Sequence, residues 1–463
     1  MTQLEDPDNT TGNKVRQDKD WTQGSVVRNL WSLSWPLMIG ASLNQIGPTI
    51  DMIWVGRLSS ATIAGVGVGG MAVMMMNSLT MALCMGARAI IARYIGAGDE
   101  NQAVHAAKQA YIVGIIFSLV MLPIGLLLAE PIMNIFGVEA DVVREGSIYL
   151  QVLLAGSGSA ILWMMTESVM QSSGDSMSPM RIAVLFRVIH VGLCPMLIFG
   201  WWVFPELGVR GAALTNIITQ GFGLVLGLWI LFMGKTRLHL TLDGFRIDLS
   251  MIWRIIKIGI PVAISGMQRS LGDMIIMWLL VPFGTIAVAA HTIWQRVMMF
   301  VMMPAMGFGT GAAVLAGQNL GANQPDRAEK NGWIAAGTVQ AWMLAFALVI
   351  LIWAVELIGI FGPKPDVVAL AADFLRIGTA GMLFFGLEPV MMSVLSGVGD
   401  TVPPMIVTVG TFWIFQIPLA FVLSKYTGYG VYGVRWGMVI GMIASAVFMG
   451  LYFKTGRWKR KQV

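Results

Sequence analysis

The chain has 463 residues, of which 56% are hydrophobic and only 12% charged, with a mean hydropathy of +0.73. That charge fraction is about half the usual value for a soluble domain, which argues against a soluble enzyme, a nucleic-acid binder or a disordered scaffold. Its net charge of +5 resides in basic residues beside apolar blocks, where membrane topology accounts for them. Cys84 and Cys194 both fall inside apolar blocks and supply neither a disulfide framework nor a metal-ligand spacing in sequence.

Residues 1–28 are polar and carry no short apolar segment before a cleavage site. They read as a cytoplasmic tail rather than a signal peptide, although Asn9-Thr10-Thr11 matches a glycosylation sequon. Apolar blocks of about 20 residues follow, each long enough to cross the ~30 Å hydrocarbon core as a helix. The N-terminal set falls near 31–54, 64–87, 105–129, 146–171, 179–200 and 211–233. A linker over 234–255 with Lys235, Arg237, Arg246 and Arg254 separates it from spans near 256–279, 289–315, 331–354, 371–396, 404–424 and 435–453, and a basic tail over 454–463 ends the chain. With both termini cytoplasmic, 20 of the 30 Lys and Arg fall on the cytoplasmic side and 7 outside, while Arg187, Arg269 and Arg296 lie within spans. This bias obeys the positive-inside rule.

A shift of 225 residues superposes the two halves: Pro36 on Pro261, Gly86-Ala87 on Gly311-Ala312, Gly96-Ala97 on Gly321-Ala322, and Gly174-Asp175 on Gly399-Asp400. Six spans is an even number, so both halves start on the same side and the repeat is parallel. The expectation is an all-α polytopic membrane protein of twelve helices. Its lobes are a 29–233 N-lobe and a 256–453 C-lobe, with a substrate site between them near the midplane. Gly65-x-Gly67-x-x-Gly70 matches a dinucleotide-binding pattern but follows no strand; small-residue helix packing explains it better.

Several segments in order are similar to the multidrug and toxic compound extrusion (MATE) family: SWPLMIGASLNQIGPTIDMIWVGRLSS (34–60), YIGAGDENQAVHAAKQA (94–110), VMQSSGDSMSPM (169–180), GVRGAALTN (208–216), FGTIAVAAHTI (283–293) and VLSGVGDTVPPM (394–405). The resemblance implies a secondary antiporter, not an enzyme, that exports amphipathic, often cationic, drugs in exchange for H⁺ or Na⁺. It implies no cofactor, a monomer in a bacterial inner membrane, and no nucleic-acid partner. A lipid-linked precursor flippase of the same superfamily is the alternative. A membrane-embedded enzyme is disfavoured because the chain holds no recognisable catalytic constellation.

Asp51 is the leading candidate for cation coupling, because an acid inside a span is expensive and normally faces water, a partner or an ion path. By resemblance it is the family's first-helix aspartate, with Pro36 as the residue that bends that helix. The competing reading is a helix-end aspartate paired with Arg57. Pro48 cannot donate to the Asn44 carbonyl, so Asn44 either helps solvate an ion beside Asp51 or bonds to a neighbouring helix. In the sodium-linked pattern of the DinF-like branch, which the chain resembles more than the NorM-like branch, an Asn and an Asp-Pro stand where this chain has His190 and Cys194-Pro195. Imidazole and thiol suit Na⁺ poorly, since hard cations prefer oxygen, whereas an Asp51–His190 pair suits protons. Thr215 retains the family's threonine.

In the second half, Arg269 and Asp273 are four residues apart and can pair on one helix face. The NorM-like branch has a glutamate in place of Arg269 and an aspartate in place of Phe385. Glu388, one turn from Phe385, is a candidate substitute as a substrate or cation contact, and His291 matches the Ala-Ala-His position. Glu167 and Arg187 read as a structural pair. The 35 methionines include runs at 74–76, 298–299 and 302–303, and flexible thioethers suit a promiscuous cavity.

Overall fold

The computed structural model describes residues 20–461 apart from Leu242 and Pro363. Most of the expected N-terminal tail, including the Asn9 sequon, therefore lies outside the described residues. The rest is built of helices: α1 (Val26–Val55), α2 (Ser60–Gly96), α3 (Glu100–Ile135), α4 (Ala140–Ala155), α5 (Gly158–Ser172), α6 (Met177–Phe199) and α7 (Val209–Phe232) form the first lobe. The second comprises α8 (Leu249–Leu280), α9 (Thr285–Gly321), α10 (Pro325–Gly359), α11 (Pro365–Phe385), α12 (Leu387–Gly397), α13 (Val402–Gly410), α14 (Ile417–Tyr426) and α15 (Val431–Lys454), with a π-helical stretch over Thr411–Gln416 joining α13 to α14.

Twelve spans follow. Among the described residues ten helices are individually long and apolar enough to cross a membrane, counting α13 to α14 as one, and the α4–α5 pair, bent by 49°, makes an eleventh. Helix α1 is the twelfth. Its 30 residues are interrupted by Ser, Asn, Gly, Pro and Asp51, which lower its apolarity while leaving it longer than the hydrocarbon core.

Local chemistry sets the boundaries. Ser25, Ser59, Asp99 and Asp248 cap the N-termini of α1, α2, α3 and α8 by accepting backbone N–H bonds, which satisfies donors that a helix start leaves free. Because Ser25 and Asp248 cap where they do, α1 begins at Val26 and α8 at Leu249, slightly earlier than the expected lobe limits of 29 and 256. The linker is pinned to α3: Lys108 donates to the Asp243 carbonyl (2.7 Å), Gln109 to that of Arg246 (2.7 Å), and His105 contacts Asp248 (3.2 Å). Gly200 ends α6 in a left-handed conformation (φ 68°), which costs glycine little.

The 225-residue repeat holds in three dimensions. Adding 225 to the ends of Ser60–Gly96 gives Thr285–Gly321, the limits of α9, and α3 maps onto α10 to within one residue. Across the lobe boundary α1 packs on α9 while α8 packs on α2, and α2 crosses α9. The crossings are glycine-backed and reciprocal. Gly96 lies against the Gln318 backbone and Gly321 against the Arg93 carbonyl; Gly86 meets the Ile255 carbonyl and Gly311 meets Ser34. Gln318 then donates to the Ser172 carbonyl (2.8 Å) and Arg93 to that of Val398 (3.2 Å). Gly65 also approaches the Gly146 backbone directly, so the glycine-rich stretch of α2 serves helix packing.

These interlobe contacts run from the end that carries the termini to Ser42–Met303 and Ser78–Gly266, near mid-helix. Beyond that point α1 turns to α6 and α7 of its own lobe, and α8 packs on Phe412, Ala420 and Val434 of its own. The lobes are sealed at the terminus-bearing end and diverge toward the other. A cysteine pair at Ser78→Cys and Gly266→Cys should form an interlobe disulfide, because the Gly266 Cβ position is 3.5 Å from the Ser78 Cβ and disulfides need about 3.5–4.5 Å. With a protease site inserted in the linker, the two halves would co-migrate on a denaturing gel until reduced; separate migration without reductant would contradict the packing.

Candidate functional site

The second half of α1 delivers Asp51 into its own lobe, where its side chain is 2% exposed. Three side chains meet it. His190 Nε2 lies 2.9 Å from Oδ1, the Cys194 thiol is 3.5 Å from the same oxygen, and Asn216 Nδ2 donates to Oδ2 at 2.7 Å. His190 and Cys194 are four residues apart on α6 and so share a face, while Asn216 comes from α7. Both carboxylate oxygens are engaged, as burial of such a group requires. His190 Nδ1 is buried with no partner among the described residues, and Tyr149 of α4 is a further buried polar neighbour.

Of the residues expected in this site, Asp51 and His190 come together. Thr215 is buried beside the Cys194 thiol, but its hydroxyl donates to the Gly211 carbonyl of its own helix (2.8 Å). The polar group that reaches Asp51 is its neighbour Asn216, an amide in an apolar span with no motif signal of its own, and the Cys194 thiol joins it at the other carboxylate oxygen. Asn44 is exposed and lies seven residues, about 10 Å, from Asp51 along α1, so the structure does not bring the two together. Pro36 and Pro48 both lie inside α1, which continues through each. Arg57 sits over the Trp54 ring (4.7 Å) instead of pairing with Asp51. Arg187 packs its guanidinium against Gly47 of α1 and lies near Asp51, while Glu167 accepts from Gln171 (2.9 Å) and lies near Arg88; the expected Glu167–Arg187 pair does not form among the described residues, because each has other neighbours.

The second lobe differs. Arg269 and Asp273 are both exposed on α8 and form no ion pair among the described residues. This corrects the expectation from their spacing, since helical proximity allows a pair without compelling two long side chains to make it. Arg269 is near enough to interact electrostatically with both Asp273 and Glu388, so the three form a loose polar group. His291 is buried and accepts a hydrogen bond from Arg435 at Nδ1. Arg435 itself lies between the Trp294 and Phe374 rings, 4.1 and 4.2 Å from their centroids. That aromatic clamp was not anticipated, because Arg435 reads as a loop-side cation.

The geometry ranks two adjacent residues. Asn216→Ala strips the donor from a buried carboxylate oxygen, at a cost of about 1–3 kcal/mol. Thr215→Val removes a hydroxyl that donates to a carbonyl of its own helix and does not touch the Asp51 carboxylate, so it should cost less. Thermal unfolding of the two variants in one detergent would check the order, and an equal or reversed loss would remove Asn216 from the site.

The comparisons with known proteins agree with this architecture. The sequence model of the MatE family matches residues 36–196 and again residues 261–422, two segments whose starts are 225 residues apart. A protein named "Probable multidrug resistance protein NorM" from Thermotoga maritima is 28% identical over 442 residues, covering 95% of this chain and 94% of the relative. "Probable multidrug resistance protein YoeA" from Bacillus subtilis is 25% identical over 448 residues, covering 95% and 96%. Among solved structures, "Crystal structure of MATE in the bent conformation" superposes with a TM-score of 0.89 at 23% identity, covering 95% of this chain and 97% of that one. "Outward-facing conformation of a multidrug resistance MATE family transporter of the MOP superfamily" has the same TM-score and identity, covering 96% and 100%. With two matched repeats spanning most of its length, the chain belongs to the MATE family of membrane transporters.

Proposed function

We propose that this transporter is a multidrug efflux antiporter, exporting amphipathic and mainly cationic compounds in exchange for inward H⁺. The observation that carries the reading is the Asp51 site: a buried carboxylate whose partners are an imidazole, a thiol and an amide N–H. A sodium ion calls for a cage of oxygens, and this set offers few. A proton needs only a carboxylate and an imidazole in contact, and these lie 2.9 Å apart. The names of the relatives point the same way as to cargo.

In this cycle both termini are cytoplasmic and the protein acts as a monomer in a bacterial inner membrane. The divergent end of the lobes then faces outward. Protonation at the Asp51–His190 pair weakens the hold of α6 and α7 on the second half of α1. The helix rearranges over Pro36 and Pro48, and drug leaves the interlobe cleft. Met71, Met74 and Met75 of α2 and Met267 and Met274 of α8 are exposed on helices at the lobe boundary, supporting an adaptable cargo surface. Arg269, Asp273, Glu388 and His291 serve as polar contacts of the second lobe. No cofactor takes part.

Purified protein in proteoliposomes should move ethidium when a pH gradient is imposed alone, and Asp51→Asn should abolish that movement at equal incorporation. Movement driven only by a Na⁺ gradient would overturn the proton assignment. Failure of both gradients would overturn drug export and favour the lipid-linked precursor flippase.

A further inference from the structure

Asp51, His190 and Cys194 form the described group of His, Cys, Asp and Glu side chains whose ligand atoms converge, all within 4.8 Å of one another and all buried. Proton coupling calls for the acid and the imidazole; it has no use for a thiol. Yet Cys194 is directed at the same carboxylate oxygen as His190, one helical turn away on the same face of α6. The separations match a coordination sphere. With metal bonds of about 2.0–2.1 Å to nitrogen and oxygen and about 2.3 Å to sulfur, tetrahedral angles place N and O about 3.3 Å apart and S and O about 3.5 Å apart. The structure has 2.9 Å and 3.5 Å for these two pairs and keeps the third, imidazole nitrogen to sulfur, within 4.8 Å, so the ligand atoms lie within about an ångström of coordination distances.

We propose that Asp51 Oδ1, His190 Nε2 and Cys194 Sγ bind one divalent transition-metal ion of borderline softness, Zn²⁺ above all. The donor set of one carboxylate, one imidazole and one thiolate excludes Mg²⁺ and Ca²⁺, which take oxygen, and suits zinc. Three protein ligands leave one position for water. On binding, the Cys194 thiol gives its proton to water and becomes the thiolate. The proton shared between Asp51 and His190 Nε2 leaves to water as well, and the imidazole keeps its remaining proton on Nδ1, which has no partner among the described residues. Asn216, held to Oδ2 at 2.7 Å, orients the carboxylate from behind. Because Asp51 is on α1 and the other two ligands are on α6, the ion ties the moving helix to its lobe. Given the exchange cycle proposed above, an ion there competes with the coupling proton and arrests transport; the binding itself is independent of that reading.

The test is made on the full-length protein in detergent, with Co²⁺ as the spectroscopic probe and Zn²⁺ as competitor. Wild type should take up one Co²⁺ per chain with a thiolate-to-metal charge-transfer absorbance that Zn²⁺ quenches, and Zn²⁺ should raise its thermal midpoint. Cys84→Ser, which removes the other thiol, should keep the absorbance; Cys194→Ser should lose it, and His190→Gln should lose the Zn²⁺-dependent stabilisation while still able to bond Asp51. Asn216→Ala should weaken Zn²⁺ binding by about tenfold or more. Absence of the charge-transfer absorbance in wild type, its survival in Cys194→Ser, or its loss in Cys84→Ser would each overturn the site. These readouts need no transport, so a failed efflux experiment leaves them standing.

Discussion

Burial of the Asp51 carboxylate is the constraint around which the first lobe is arranged. A charged side chain at membrane depth costs about 2.5–3.5 kcal/mol even on lenient scales, and an unpartnered one in a packed interior costs more. The lobe meets this by bringing three helices to one point: α1 supplies the acid, α6 the imidazole and thiol, and α7 the amide. The same contacts decide where α1 lies. Its first half belongs to the interlobe seal, where it packs on α9, while its second half is tied to α6 and α7. A change in the charge at Asp51 therefore acts on a helix that already bridges the two lobes. That is the arrangement needed for a local event to bias a global equilibrium.

The duplication makes the chemistry of this site legible by contrast. Positions 225 residues beyond Asp51, His190, Cys194 and Asn216 hold Ile276, Phe415, Leu419 and Gly441. The second lobe fills the equivalent volume with hydrocarbon: Ile276 sits in an apolar cluster with Leu279, Ala420 and Val434. Phe415 falls within the π-helical stretch of Thr411–Gln416, so the helix that carries His190 in one lobe is locally rewound in the other. Buried charge in the second lobe appears elsewhere, at Arg435, where two aromatic faces and His291 surround the guanidinium. Both lobes bury an ionisable group, of opposite sign and in different surroundings. The symmetric scaffold therefore carries asymmetric polar contents.

The helices, their order and the repeat were legible because membrane insertion imposes strong, local rules. Apolar length marks each span, and a shared register exposes the duplication. The site was legible in part. Asp51 and His190 stand out as ionisable residues in apolar surroundings, and their meeting could be anticipated. Asn216 and Arg435 could not be assigned, because which polar residue of a helix faces inward depends on a rotation about its axis that one sequence leaves open: Thr215 and Asn216 differ by about 100°. The Arg269–Asp273 and Glu167–Arg187 pairs failed for a related reason. Spacing limits which groups can meet, but the outcome depends on neighbours such as Gly47 and Gln171, which come from the tertiary fold or compete at equal range.

Glycine at the lobe boundary completes the physical picture. Seals between helices in a membrane gain little from the hydrophobic effect, since lipid is as apolar as the interface, and depend on close approach. The reciprocal contacts of Gly86, Gly96, Gly311 and Gly321 let backbones touch and place the Gln318 and Arg93 bonds to Ser172 and Val398 within reach. An interface of this kind is held by many small contacts and few buried charges, so it can be opened and reclosed at modest cost. The buried charges at Asp51 and Arg435 lie away from it, each inside its own lobe. In the exchange cycle proposed above, this separation lets a change at the charged site act on α1 without that site being part of the surface that comes apart.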